Sequence, residues 1–338
     1  MSAEAAFAVV ERAITRGPIP GAAAAVDEEV ACFGVVEPGG PAVTQATWYD
    51  LASLTKVLVT VPLCLDAMAC GRLDPLAPLR EVLPEVAWLQ PPPNLGDATI
   101  LELATHTSGL AAWQPLYTLG LDRETHFARL LQAELVRAPG TIEYSDLGFL
   151  ILGHVLERLY GERLDVLATR LFERLGLNAQ LAFKPPDHAT VAPTERCPWR
   201  DRLIRGEVHD ENASALGGVA GHAGLFGTLE GIRGYAKALL NGCLHARPVV
   251  EYLSREHARS DTERRGFGWV LMSPGWSGGD FLPAHSIGHT GFTGTGLWLD
   301  LEHMHSTVLL TNRVYPSRHV ESGIVRLRRA FNHAALGT

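Results

Sequence analysis

Strand-like runs sit at the two ends of this chain and helical runs fill its middle, an order that few folds accept. Near the start, Ala22–Val26 and Val30–Val36 read as two short strands around the turn Asp27-Glu28-Glu29. Near the end, glycine-rich turns separate strand-like runs at Gly268–Met272, Thr295–Asp300 and Thr307–Thr311. Residues from about 72 to 205 read mainly as helix, with loops at Pro91-Pro92-Pro93 and Pro139-Gly140, and a clear helix Leu147–Leu159 ends at Gly161. An amphipathic helix precedes the first strand, with Ala6, Val9, Val10, Ala13 and Ile14 opposite Glu4, Glu11 and Arg12, and another closes the chain from about Ser317 to Ala335. An α+β fold meets this order: an antiparallel β-sheet flanked by helices, with an all-α lobe inserted into it. The expected division is a sheet domain of residues 1–71 and 206–338 and an all-helical domain of residues 72–205.

Charge and composition narrow the partners. A net charge of −8 leaves no broad basic surface, so nucleic acid is not an expected partner. Nor is a membrane, because the longest apolar run, Val57–Ala69, is interrupted by Pro62 and Asp66. The first residues lack the basic start and apolar stretch of a secretory leader, which makes the cytoplasm the expected compartment. Five cysteines with no C-x-x-C spacing suggest neither a disulfide framework nor a zinc knuckle.

Three segments carry chemistry. Ser53-Leu54-Thr55-Lys56 heads a run from Ser53 to Cys70 that is apolar nearly all round and is stopped by Gly71. Residues three apart share a helix face, so Lys56 falls within reach of Ser53. A serine hydroxyl is a weak nucleophile until a neighbour takes its proton, and a lysine in a dry site with a lowered pKa is suited to help. Chance would supply only about 0.12 S-x-x-K pairs in a chain with this many serines and lysines. At the start of a helix, Ser53 would also have free N–H groups aimed at a developing oxyanion.

Tyr144-Ser145-Asp146 opens the helix Leu147–Leu159. Read plainly, Ser145 or Asp146 is an N-cap and Tyr144 a loop aromatic. Read functionally, Tyr144 is a phenol that shares a proton with Lys56 and Ser53, and Asp146 is a carboxylate that holds Lys56. The third segment, His289-Thr290-Gly291-Phe292-Thr293-Gly294, precedes the strand Thr295–Asp300. Its glycines suit a turn or a strand edge that substrate approaches closely. His289, Thr290 and Gly291 would face the substrate, and the backbone N–H of Phe292 would pair with that of Ser53 as an oxyanion hole.

Two other patterns carry less. Gly275-Trp276-Ser277-Gly278-Gly279 satisfies G-x-S-x-G, but that nucleophile turn needs a helix after it, and Asp280-Phe281-Leu282-Pro283 starts none. His209, Asp210 and His222, with Glu207, Glu211 and Asn212 nearby, read as structural hydrogen-bonding groups or cleft lining rather than metal ligands. His303 and His305 read as surface residues of a strand turn.

Taken together, Ser53-Leu-Thr-Lys56, Tyr144-Ser-Asp146 and His289-Thr-Gly291 resemble the serine β-lactamase and penicillin-binding protein superfamily in its class C-like branch, which includes DD-peptidases and esterases. Asp50-Leu51-Ala52, Thr105-His106-Thr107-Ser108-Gly109-Leu110, Gly217-Gly218-Val219 and Gly224-Leu225-Phe226 add to the likeness, which covers nearly the whole chain. The resemblance implies an antiparallel sheet with an all-helical lobe and the site between them. It implies that Ser53 attacks a carbonyl of a small ester, amide or peptide-like substrate while Lys56 and Tyr144 relay the proton, with no cofactor or metal. Two departures bear on substrate: His289 stands where class C β-lactamases have lysine, and Asp146 where asparagine is usual. A neutral histidine grips a carboxylate less firmly, and an anion at 146 repels one. A non-catalytic ligand-binding or sensor protein that keeps the fold is the alternative, against which the intact Ser53, Lys56 and Tyr144 argue.

Overall fold

The alanine run Ala22–Ala25 determines how closely helices approach the sheet. In the computed structural model, which describes residues 3–336, this run lies in strand β1 (Gly21–Val26). Successive side chains of a strand point to opposite faces, and the alternation divides β1 between two apolar clusters. Ala22, Ala24 and Val26 pack with Ala6, Val10, Leu327 and Phe331, whereas Ala23 and Ala25 join Leu54, Leu58 and Tyr235. The first group comes from the terminal helices α1 (Ala3–Arg16) and α5 (Ile324–Leu336), which lie together on one face. The other face is covered by α4 (Leu229–Leu240) and by the helix that carries Lys56.

The sheet has eight antiparallel strands. A hairpin joins β1 to β2 (Glu29–Gly34), which ends two residues sooner than the sequence suggests. The rest are β3 (Ala258–Arg259), β4 (Arg264–Arg265), β5 (Val270–Leu271), β6 (Ile287–Thr290), β7 (Gly296–Asp300) and β8 (His305–Thr311), and the order across the sheet is β2-β1-β8-β7-β6-β5-β4-β3. The architecture is the expected α+β arrangement of helices around an antiparallel sheet.

The stretch 72–205 contains the helices read there, among them α3 (Asp146–Tyr160), but is not helical throughout. Leu181–Ala182 pairs with Phe226–Gly227, and Arg196–Cys197 pairs with Arg202–Leu203. One core unites the two regions, since Leu103, Leu150 and Leu167 belong to the same cluster as Ala23 and Leu310. The last helix starts later than the pattern predicts. Ser317–Gly323 is loop, because Arg318 is tied down by Glu195, which accepts from its backbone N–H and its Nε, both at 2.8 Å.

The apolar run after Ser53 is helical but irregular. Lys56–Thr60 is a π-turn that leads into α2 (Val61–Ala69). In a regular α-helix the ring of Pro62 would press on the carbonyl of Leu58, and widening the turn relieves that clash. The widening has a cost at Val57. Val61 N–H donates to the Lys56 carbonyl, and the residue that would next serve Val57 O is Pro62, which has no N–H. The buried hydroxyl of Tyr235 donates to Val57 O instead, at 2.7 Å. Tyr235→Phe is therefore expected to lower stability by about 1–3 kcal/mol by stranding a buried carbonyl, as urea denaturation would show. Among the described residues, no helix is long and apolar enough to cross a membrane.

Candidate active site

Ser53 lies directly before the helical run that begins at Leu54, in a strained corner that several groups hold. Ala52 adopts φ +46°, which costs a non-glycine residue energy unless the surroundings fix it. The buried carboxylate of Asp50 fixes it, accepting from Ala52 N–H at 2.8 Å and from His209 N–H at 2.6 Å. The loop between β6 and β7 is fastened to the same corner: Thr293 Oγ1 donates to Asp50 O at 2.7 Å and Thr295 Oγ1 to Leu51 O at 3.0 Å. Gly291 lies so close that a Cβ there would meet Leu51 O at 2.4 Å, which explains the glycine. Neither threonine stands out in the sequence as a fastener.

Lys56 is fully buried, and its partners define the centre of the site. Its Nζ donates to Ser53 Oγ at 3.0 Å, to Asp146 Oδ1 at 2.6 Å and to the His222 carbonyl at 3.3 Å. The expected lowered lysine pKa does not hold. Burial pushes it down, but the Asp146 carboxylate and Tyr144 outweigh burial and raise it. Lys56 is therefore an ammonium that donates to Ser53. Asp146 is the first residue of α3, and Ser145 caps that helix, its Oγ accepting from Gly148 N–H at 3.3 Å.

Tyr144 is flanked by cations. The Lys56 ammonium lies 4.9 Å from its ring centre and the Arg265 guanidinium 5.5 Å. Arg265, on β4, is buried and paired with Glu263, and its Nε and Nη1 have no partner among the described residues. Nothing in the sequence singles it out, because its place depends on sheet register. His289 is buried, its Nδ1 3.1 Å from Thr290 O and its Nε2 without a partner among the described residues. A cleft of about 620 Å3 brings Ser53, Tyr144, Arg265, His289 and Phe292 onto one surface, with Thr290 and Gly291 beside them. Among the described residues, the backbone N–H groups of Ser53 and Phe292 have no intramolecular acceptor, and both residues border the cleft.

The second acidic cluster splits in two. His222 Nε2 lies 2.9 Å from Asp210 Oδ1, and possible ligand atoms of Asp146, Asp210 and His222 all fall within 4.8 Å of one another. The Lys56 ammonium already sits on Asp146, so a metal ion would have to displace a cation. His209 instead faces Glu195 at 2.9 Å, and Arg318 bridges Glu195 and Glu211. Ser277 lies in a loop with no helix after it and accepts from Trp298 Nε1 at 3.1 Å. His303 and His305 pair with Asp300 and Asp27, each at 2.9 Å.

His106 and His289 are both held well below the usual histidine range, by burial first and then by Arg265 and Lys56. In the unfolded chain both would titrate near pH 6.5. The unfolded state thus gains protons first on acidification, so their contribution is complete above about pH 6.5 and is lost as pH falls below it. Stability is expected to fall between pH 7 and pH 5, as the unfolded chain takes up protons at these two positions ahead of the folded one. Urea midpoints that stay flat over that window would contradict the assignment.

With this geometry in view, the comparison with known sequences decides the family. The Beta-lactamase family model matches residues 7–330. The chain belongs to the beta-lactamase family. Among curated relatives of this beta-lactamase-family chain is the N-acetylmuramyl-L-alanine amidase of Bacillus subtilis (strain 168), 28% identical over 307 residues, covering 79% of this chain and 68% of the relative. A putative D-alanyl-D-alanine carboxypeptidase of Escherichia coli (strain K12) is 29% identical over 309 residues, covering 80% and 70%. Among solved structures, EstCE1, described as a hydrolase with promiscuous acyltransferase activity, superposes with a TM-score of 0.78 at 20% identity over 98% of both chains. A beta-lactamase/D-alanine carboxypeptidase from Pseudomonas syringae gives 0.76 at 16% identity over 97% of both. The structural likenesses establish the fold. Family membership makes the chain a hydrolase of the beta-lactamase superfamily.

Proposed function

We propose that this chain cleaves ester or amide bonds through an acyl-enzyme on Ser53. The supporting observation is the contact between Ser53 Oγ and a buried Lys56 ammonium at 3.0 Å, in a cleft that also holds Tyr144 and two backbone N–H groups with no acceptor among the described residues. Because Lys56 is already protonated, the oxygen of Tyr144 takes the proton of Ser53. Lys56 and Arg265, both against the Tyr144 ring, favour the phenolate form that accepts this proton and becomes a neutral phenol. The hydroxyl oxygen attacks the substrate carbonyl, and the N–H groups of Ser53 and Phe292 receive the oxyanion. Tyr144 then returns the proton to the leaving oxygen or nitrogen, and water repeats the sequence to release the acid.

His289, Thr290 and Gly291 run beyond Gly288, the last residue of β6 that pairs with β5, and substrate lies along that open stretch. The neutral His289 and the anionic Asp146 disfavour a carboxylate close to the scissile bond, so a small uncharged ester or amide fits better than a β-lactam. Steady-state kinetics on p-nitrophenyl esters, nitrocefin and D-Ala-D-Ala peptides test this order. Ester turnover should exceed nitrocefin turnover by at least about 100-fold, which corresponds to two factors of ten in transition-state preference. Faster nitrocefin hydrolysis would overturn the substrate reading.

A further inference from the structure

His106 contacts the backbone on both sides of Tyr144. Its carbonyl accepts from the N–H of Glu143 at 2.9 Å, and its ring Nδ1 accepts from the N–H of Ser145 at 3.0 Å. Between those anchors its ring packs against the Tyr144 ring, with centres 4.6 Å apart, and against Phe149 at 5.2 Å. The residue itself sits at φ +60°, an unfavourable conformation for a histidine that persists only when its neighbours dictate it. It is buried, and its Nε2 has no partner among the described residues, so its hydrogen bonding is directed at the Tyr144 segment. An Nδ1 that accepts a hydrogen bond carries no proton, and the burial and cationic surroundings of His106 keep the ring neutral.

We propose that His106 is the positioning residue for Tyr144: its carbonyl and Nδ1 clamp the two flanking peptide groups while its ring sets the plane of the phenol. The idea rests on Tyr144 being the proton carrier for Ser53. A residue that acts only through Tyr144 should matter only while Tyr144 has its hydroxyl, and this separates positioning from general support of the fold.

The experiment is a double-mutant cycle on the rate of Ser53 phosphonylation by a fluorophosphonate, read by intact mass on the full chain. His106→Phe keeps a ring and removes the acceptor, and it should slow labelling about 100-fold with little change in apparent probe affinity. His106→Asn offers Oδ1 where Nδ1 was and tolerates positive φ, so it should stay within about 5-fold of the wild type. Tyr144→Phe should be slow, and adding His106→Phe to it should change the rate less than 3-fold. Should phenylalanine at this left-handed position prevent folding, His106→Ala takes its place in the same cycle with the same expectation. Losses that add in full across the cycle, or an asparagine variant as slow as the phenylalanine or alanine one, would overturn the role of His106 and leave the function intact. No labelling of wild-type protein would remove the functional reading, and this proposal with it.

Discussion

Ser53→Ala is expected to reduce ester hydrolysis by about 10^5-fold while leaving stability almost unchanged, because a nucleophile in a cooperating set carries the whole covalent route. Folding has little stake in this hydroxyl. Its hydrogen bond comes from Lys56, which keeps Asp146 at 2.6 Å and the His222 carbonyl at 3.3 Å without it. The urea midpoint should therefore move by less than about 0.5 kcal/mol equivalent. A variant that retains more than a hundredth of the wild-type rate would show that another group attacks.

Lys56→Met is expected to damage both fold and function, and the two effects can be separated. Removing the ammonium leaves the Asp146 carboxylate facing a buried apolar side chain, and breaking such a pair costs about 3–5 kcal/mol. The lower end applies here, because Asp146 keeps some solvent contact, with 20% of its side chain exposed. Activity should fall by about 10^4-fold, since the donor to Ser53 and the cation beside Tyr144 go together. Lys56→Met with Asp146→Asn should restore most of the stability by removing the stranded charge and should restore none of the activity. Urea denaturation and ester kinetics on the single and double variants would check both halves. Recovery of activity in the double variant would mean that Lys56 serves only to neutralise Asp146.

What was legible in the sequence was local or periodic. The three-residue spacing of Ser53 and Lys56 is a helical neighbour relation, and the strand runs at both ends convey the sheet, so both follow from the sequence alone. Contacts set by register were not legible. Arg265 comes under Tyr144 because β4 pairs with β5 and β5 with β6, and no nearby residue announces it. For Lys56 the sequence offers two opposed influences, burial among apolar neighbours and a carboxylate at Asp146 that holds it, and which of them prevails depends on the 2.6 Å approach of Asp146. The π-turn arises from Pro62 and is absorbed by Tyr235, a residue distant in the chain. The late start of α5 reflects Arg318 leaving the helical pattern to satisfy Glu195. His106 lies in a segment whose likeness was plain, yet its role required seeing that both neighbours of Tyr144 bond to it.

The most direct measurement is peptide mapping after fluorophosphonate treatment of the full chain, with mass analysis of every serine-containing peptide. A single phosphonyl group on Ser53, absent from Ser53→Ala and slowed in Lys56→Met, is the predicted result. Label on Ser277, or none on protein shown to be folded, would contradict it.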